Sequence, residues 1–243
     1  MTFFKIVESH FQKEFTAKWS IPAEDMMNPE HTDKRRAVRK CNTIEDLQTL
    51  RSLLREYGLD RFKADMIASG VLMEHFEISS ERNIFAKFIR GEMNPWCGDI
   101  HEHPDYFIAP NLKENNEHVH DTSKEWIGKA SMSETHFFVI PRNLSDWTFM
   151  NGLTLGMNDP HTALKMLRDM EKYGATKVVT PGFFLHICPF NSIQLLHLHV
   201  LDMDALGPGF FELSFKNLPL EAMIEVLDQE IIEINGVSFC DGK

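Results

Sequence analysis

The stretch Ser192-Ile193-Gln194-Leu195-Leu196-His197-Leu198-His199-Val200-Leu201 decides how this chain is read. Two histidines stand at i and i+2 inside an apolar, β-rich run. A strand alternates its side chains between two faces, so His197 and His199 are expected on one face. Leu196, Leu198 and Val200 then point the other way, into a core. Paired imidazoles on a rigid strand suit few tasks: holding an anion, nucleophilic catalysis with a helper, or metal ligation. A lone histidine in an apolar strand is more often a satisfied core residue. A same-face pair after the turn Pro189-Phe190-Asn191-Ser192 favours function.

On either side of this run the pattern is that of an α+β chain. Lys177 to His186 reads as a strand, and Asp159 to Tyr173 as an amphipathic helix. Pro160 sits at that helix's first position, Leu164, Leu167 and Met170 line one face, and Gly174 follows. His136-Phe137-Phe138-Val139-Ile140-Pro141-Arg142 is a strand closed by proline. A final helix is expected from Pro219 to about Glu230, with Ala222, Met223, Val226 and Leu227 inward. Residues 94–124 are rich in Asn, His, Asp, Glu and Pro and read as loop. Towards the N-terminus, Thr43 and Asp46 make a capping-box pattern ahead of the stripe Leu47, Leu50, Leu53 and Leu54, which Gly58 stops. A second helix is expected from Asp60 to Ala68. The stripe is expected to pack on the rest of the chain. The order implies an α+β domain over 83–232 built on an antiparallel sheet with flanking helices. An N-terminal helical extension (1–80) precedes it and a C-terminal tail (233–243) follows.

Composition narrows the classes. The chain has 243 residues, 43% hydrophobic, enough for a sizeable core. No apolar run has the length of a membrane span, and the N-terminus lacks a signal-peptide pattern. Cys41, Cys97, Cys188 and Cys240 are scattered, without a CxxC, which fits a reducing compartment and a cytoplasmic or nuclear location. The net charge of −11 argues against general nucleic-acid binding. The one basic run, Lys34 to Lys40, reads as a solvated face.

Three segments resemble the histidine-triad (HIT) nucleotide hydrolases and transferases. Ile84-Phe85-Ala86-Lys87-Phe88-Ile89-Arg90-Gly91-Glu92 resembles the family's opening "IFxKIIRGE", and Thr135 to Arg142 its "THFLVIPK" strand. His186-Ile187-Cys188-Pro189-Phe190-Asn191-Ser192-Ile193-Gln194-Leu195-Leu196-His197-Leu198-His199-Val200-Leu201 resembles the "HxPPFxSxxHLHLHVL" of one branch. The matches fall in family order over residues 83–230. Three departures accompany them. Leu195 replaces the first triad histidine. Residues 94–124 look like an insertion. The acidic residue that grips the ribose is not in place: a gapless count puts Gly128 there, with Glu125 the nearest acid.

The resemblance implies a hydrolase acting on phosphoramidate or phosphoanhydride bonds of nucleotides. His197 would attack the α-phosphate and form a nucleotidyl-histidine, which water releases as the monophosphate. Its other ring N–H needs an acceptor, expected to be a backbone carbonyl. His199 would donate to the same phosphate, and Ser192 to a phosphate oxygen or the leaving group. His136, Asn191 and His186 are the substrate-side candidates, although Ser192 and Asn191 also suit turn-forming roles and His186 a structural one. The resemblance implies neither metal nor cofactor, a nucleotide substrate, no membrane partner and a homodimer.

Other readings stay open at this stage. A degenerate member would bind nucleotides with little turnover, Leu195 being the argument. A metal-dependent enzyme would use His197 and His199 as ligands. His101-Glu102-His103 and His118-Val119-His120-Asp121 form a second histidine set that could hold zinc. An interaction protein built on the N-terminal helices is a further reading.

Overall fold

A computed structural model describes residue 3 and residues 43–68, 101–123, 125–143, 150–187, 193 and 195–240. Ser192, Asn191, the turn around them, the basic run 34–40 and the segment 84–92 lie outside the described residues.

Helices α1 (Thr43–Tyr57) and α2 (Leu59–Ala68) come first. Gly58 separates them with φ 91°, a left-handed conformation that glycine adopts without a Cβ penalty. Strands β1 (His101–Glu102) and β2 (Tyr106–Pro110) follow, then the short α3 (Lys113–Glu117) and β3 (His136–Pro141). Helix α4 (Pro160–Gly174) starts as its sequence predicts, with the Asp159 carboxylate accepting from the Thr162 N–H at 3.0 Å. The chain continues through β4 (Pro181–His186), β5 (Leu198–Asp202), α5 (Pro208–Glu212), β6 (Asn217–Pro219) and α6 (Leu220–Cys240).

The strands form one six-stranded antiparallel sheet in the order β1-β2-β3-β5-β4-β6. Two expectations need correction. Residues 106–110 are a strand and not loop, because Tyr106-Phe107-Ile108-Ala109 is buried on both faces and offers no alternation to read. The last helix runs about ten residues past Glu230, into the span assigned to a tail, with Ile232 and Ile234 exposed.

The two faces of the sheet differ in kind. On one, Val139, Leu196, Leu198, Val200, Phe183, Leu185 and Leu218 meet Leu167 and Met170 of α4 and Met223, Val226 and Leu227 of α6. Leu47, Leu50 and Leu54 of α1 and Phe62 and Met66 of α2 join this cluster, so the N-terminal helices share the main core. Arg51 fastens them. Fully buried, it makes a two-pronged bond to Glu230 at 2.7 Å on both arms and donates to the Leu153 and Leu155 carbonyls at 3.0 and 2.7 Å. Arg55 reaches the same carboxylate at 2.6 Å. The opposite face carries Met132, Phe184, Leu201 and Phe210, and beside them a set of histidines. No helix among the described residues is long and apolar enough to cross a membrane.

Candidate functional site: four buried imidazoles

Strand register assembles the site. Phe138 of β3 and Phe184 of β4 both lie opposite His199 of β5, so the three form one row across the sheet. His136 and His186 extend the row on either side, two residues along their strands. His197 comes just ahead of β5. The His197 and His199 rings are 4.8 Å apart between centroids, and that of His186 lies 3.9 Å from His199 and 6.0 Å from His197. All four side chains are buried, His136 and His199 to 4% exposure and His186 and His197 to 7%. The structure thus brings together His136, His186 and the pair His197 and His199 from three separate segments of the sequence.

Hydrogen bonds fix which ring nitrogen is basic. A neutral imidazole has one donor and one acceptor nitrogen. His197 Nδ1–H donates to the Leu195 carbonyl at 2.7 Å, so its Nε2 carries the lone pair. This contact uses the backbone of residue 195, which any side chain allows. Leu195 itself is buried and lines, with His186 and His197, a cavity of about 10 Å³, room for one water-sized sphere.

His199 is governed from behind. Its Nδ1 lies 3.0 Å from His136 Nε2. His136 Nδ1 in turn faces two neighbours, the Asn111 amide nitrogen at 3.2 Å and the Ser131 hydroxyl at 3.1 Å. Asn111 is oriented by its own oxygen, which accepts from the Leu112 N–H at 2.8 Å, so the amide presents a donor. Ser131 donates to the Ser133 carbonyl at 2.8 Å, so its oxygen presents an acceptor. When Asn111 donates, His136 holds its proton on Nε2, gives that bond to His199 Nδ1, and leaves His199 with an Nε2–H. When Ser131 accepts, the protons sit on His136 Nδ1 and His199 Nδ1, and His199 Nε2 becomes a lone pair. Each arrangement satisfies one neighbour of His136. The Nε2 atoms of His186 and His199 are buried and have no hydrogen-bond partner among the described residues, a costly state that a ligand would relieve.

Burial keeps all four rings uncharged. It lowers His136 to about 3, with further repulsion from His197 and Lys216, and His197 to about 4 against the opposing pull of the Leu195 carbonyl. His186 and His199 are pushed well below 6.5, again by burial first. Lys216, next to β6, is the cation that acts on all four, and burial lowers its own pKa.

Sequence reasoning missed Asn111, Ser131 and Lys216. Asn111 directly follows β2, hidden inside the supposed loop; Ser131 precedes β3 without a pattern; Lys216 lies in a turn remote from the histidine run. Gly128 and Glu125 are exposed, whereas His136 is buried. The second histidine set is dispersed. His118 stacks on Trp126 and pairs with Asp121, His120 bonds Glu134, and His103 packs against Tyr106 and Tyr173. Compared with known proteins, the chain matches no family model, no curated protein and no solved structure.

Proposed function

We propose that this protein is a HIT-type nucleotide hydrolase that cleaves at the α-phosphate of nucleoside phosphoramidates, or of related adenylated or dinucleotide substrates. A nucleotidyl-His197 intermediate carries the reaction. The observation that supports this reading most is the bond from His197 Nδ1–H to the Leu195 carbonyl. It holds the ring in one orientation with Nε2 as the nucleophile, and burial keeps that nitrogen unprotonated. Nε2 forms a bond to phosphorus as the bond from phosphorus to the leaving group breaks. Water then displaces His197 and frees the nucleoside monophosphate.

The neighbours suit the developing charge. With Asn111 donating to His136, His199 presents its otherwise unpartnered Nε2–H towards the phosphate oxygens. Lys216 supplies the positive potential that four neutral imidazoles lack. Replacement of the first triad histidine by Leu195 leaves the orienting carbonyl in place, so the substitution removes an imidazole and not the means of activating His197.

One observation favours a second reading within this fold. Leu195 is buried beside His197 where a further imidazole is expected, which suits a nucleotide-binding protein of low turnover. Adenosine 5′-phosphoramidate and a panel of dinucleotides, assayed with wild type and His197→Ala, separate the two. The hydrolase reading expects AMP release that vanishes in His197→Ala and is not reduced by a chelator. Nucleotide binding without AMP release supports the second reading, and release that persists in the variant overturns the first.

A further inference from the structure

The same imidazoles have the makings of a cation site. His186, His197 and His199 each offer a ring nitrogen, and these atoms lie within 4.8 Å of one another. They are the one such group of three among the described residues. We propose that His186, His197 and His199 form a site for a divalent transition-metal ion of the zinc type, and that its occupancy excludes the nucleotide. The exclusion rests on the hydrolase reading above; the metal site itself does not.

The donor set and its support fit such an ion. Zinc takes neutral imidazole nitrogen at about 2.0–2.1 Å in tetrahedral geometry, which sets donor atoms about 3.3 Å apart. Metal binding requires the observed spacing of up to 4.8 Å to contract towards that value. Metal-bound imidazoles usually give their second N–H to a carbonyl or another acceptor. His197 does so to the Leu195 carbonyl, and His199 can do so to His136 Nε2 when His136 donates to Ser131. That is the alternative proton arrangement of the relay. Moving between the two shifts one proton within His136 and one within His199, and changes no net charge. A phosphate oxygen selects the arrangement with His199 Nε2–H; a metal ion selects the one with a lone pair there. His186 Nε2, buried and without a partner among the described residues, gains one. The third imidazole comes from the neighbouring strand, since position 195 is leucine. Lys216 opposes a cation and favours an anion, so the two ligands respond to it with opposite sign.

The test titrates zinc alone into the full-length protein against a chromophoric chelator, for wild type, His186→Ala and Lys216→Met. Turnover of adenosine 5′-phosphoramidate is followed in parallel. The expected result is one tightly held ion in wild type and at least about tenfold weaker uptake in His186→Ala. Lys216→Met should bind zinc more tightly while its KM for nucleotide rises, a reversal that a merely misfolded variant would not produce. Equal uptake by wild type and His186→Ala overturns the site, as does weaker uptake by Lys216→Met. Zinc bound at one equivalent with AMP release unchanged overturns the exclusion. Absence of AMP release in every condition bears on the hydrolase reading alone, because metal uptake is measured without turnover.

Discussion

Two buried polar clusters among the described residues are built on opposite terms. The Arg51–Glu230 knot between α1 and α6 holds full charges, and Arg51 spends its donors on the carboxylate and two backbone carbonyls. The histidine cluster on the other sheet face holds no charge of its own and leaves two ring nitrogens without partners among the described residues. Burial of charge is tolerated only when pairing is complete, so the first cluster reads as architecture. Burial of neutral, half-satisfied imidazoles is tolerated where a ligand completes them, so the second is where the proposed function is placed.

His197→Ala tests the contrast most strongly. AMP release is expected to fall by at least on the order of 10⁴-fold, while the urea midpoint stays near that of wild type. An unfolded variant, or one that keeps its activity, would erase the distinction between the clusters. Arg51→Ala is the converse. It leaves the buried Glu230 carboxylate to Arg55 alone and takes the donor from the Leu153 and Leu155 carbonyls, and is expected to cost about 3 kcal/mol of stability. Chemical denaturation measures this, and turnover per folded molecule at low temperature should be unchanged.

Acid should act on the histidine cluster first. Folded-state values of about 3 for His136 and about 4 for His197 lie below the unfolded value of about 6.5. The unfolded chain therefore binds more protons once pH drops below about 6.5, and stability falls from there down to the folded values. Each imidazole contributes up to about 1.4 kcal/mol per pH unit. Urea midpoints at pH 7 and pH 5.5 should show the decline, and His136→Phe should flatten it. The smallest effect expected is on the relay. Asn111→Asp replaces a donor with an acceptor opposite His136 Nδ1 and turns His199 Nε2 into a lone pair. A loss of about tenfold in kcat is expected, or about 1.4 kcal/mol of transition-state stabilisation. KM should change less than kcat, and zinc affinity should rise.

Local patterns carried much of the fold into view. Pro160 and Asp159 opened α4 where the spacing placed it, Gly58 ended α1, and the period-two alternation of Leu198-His199-Val200 put His199 and Val200 on opposite faces. Strand β2 escaped because a short segment buried on both faces has no period. The reach of α6 escaped because Ile-Ile-Glu-Ile continues a helix without any stop until well past Glu230.

The sequence by itself determined the paired imidazoles, the alternation that sets them on one face, and the amphipathic helices that cover the other face. These follow from spacings of a few residues, which backbone geometry converts directly into direction. Only the tertiary structure decided that His136 and His186 complete the cluster, and that Asn111, Ser131 and Lys216 attend it. It also decided that residue 195 serves through its carbonyl and that Arg51 binds the N-terminal helices to α6. Those relations join residues up to 179 positions apart. They arise from strand order and register, which no local period records.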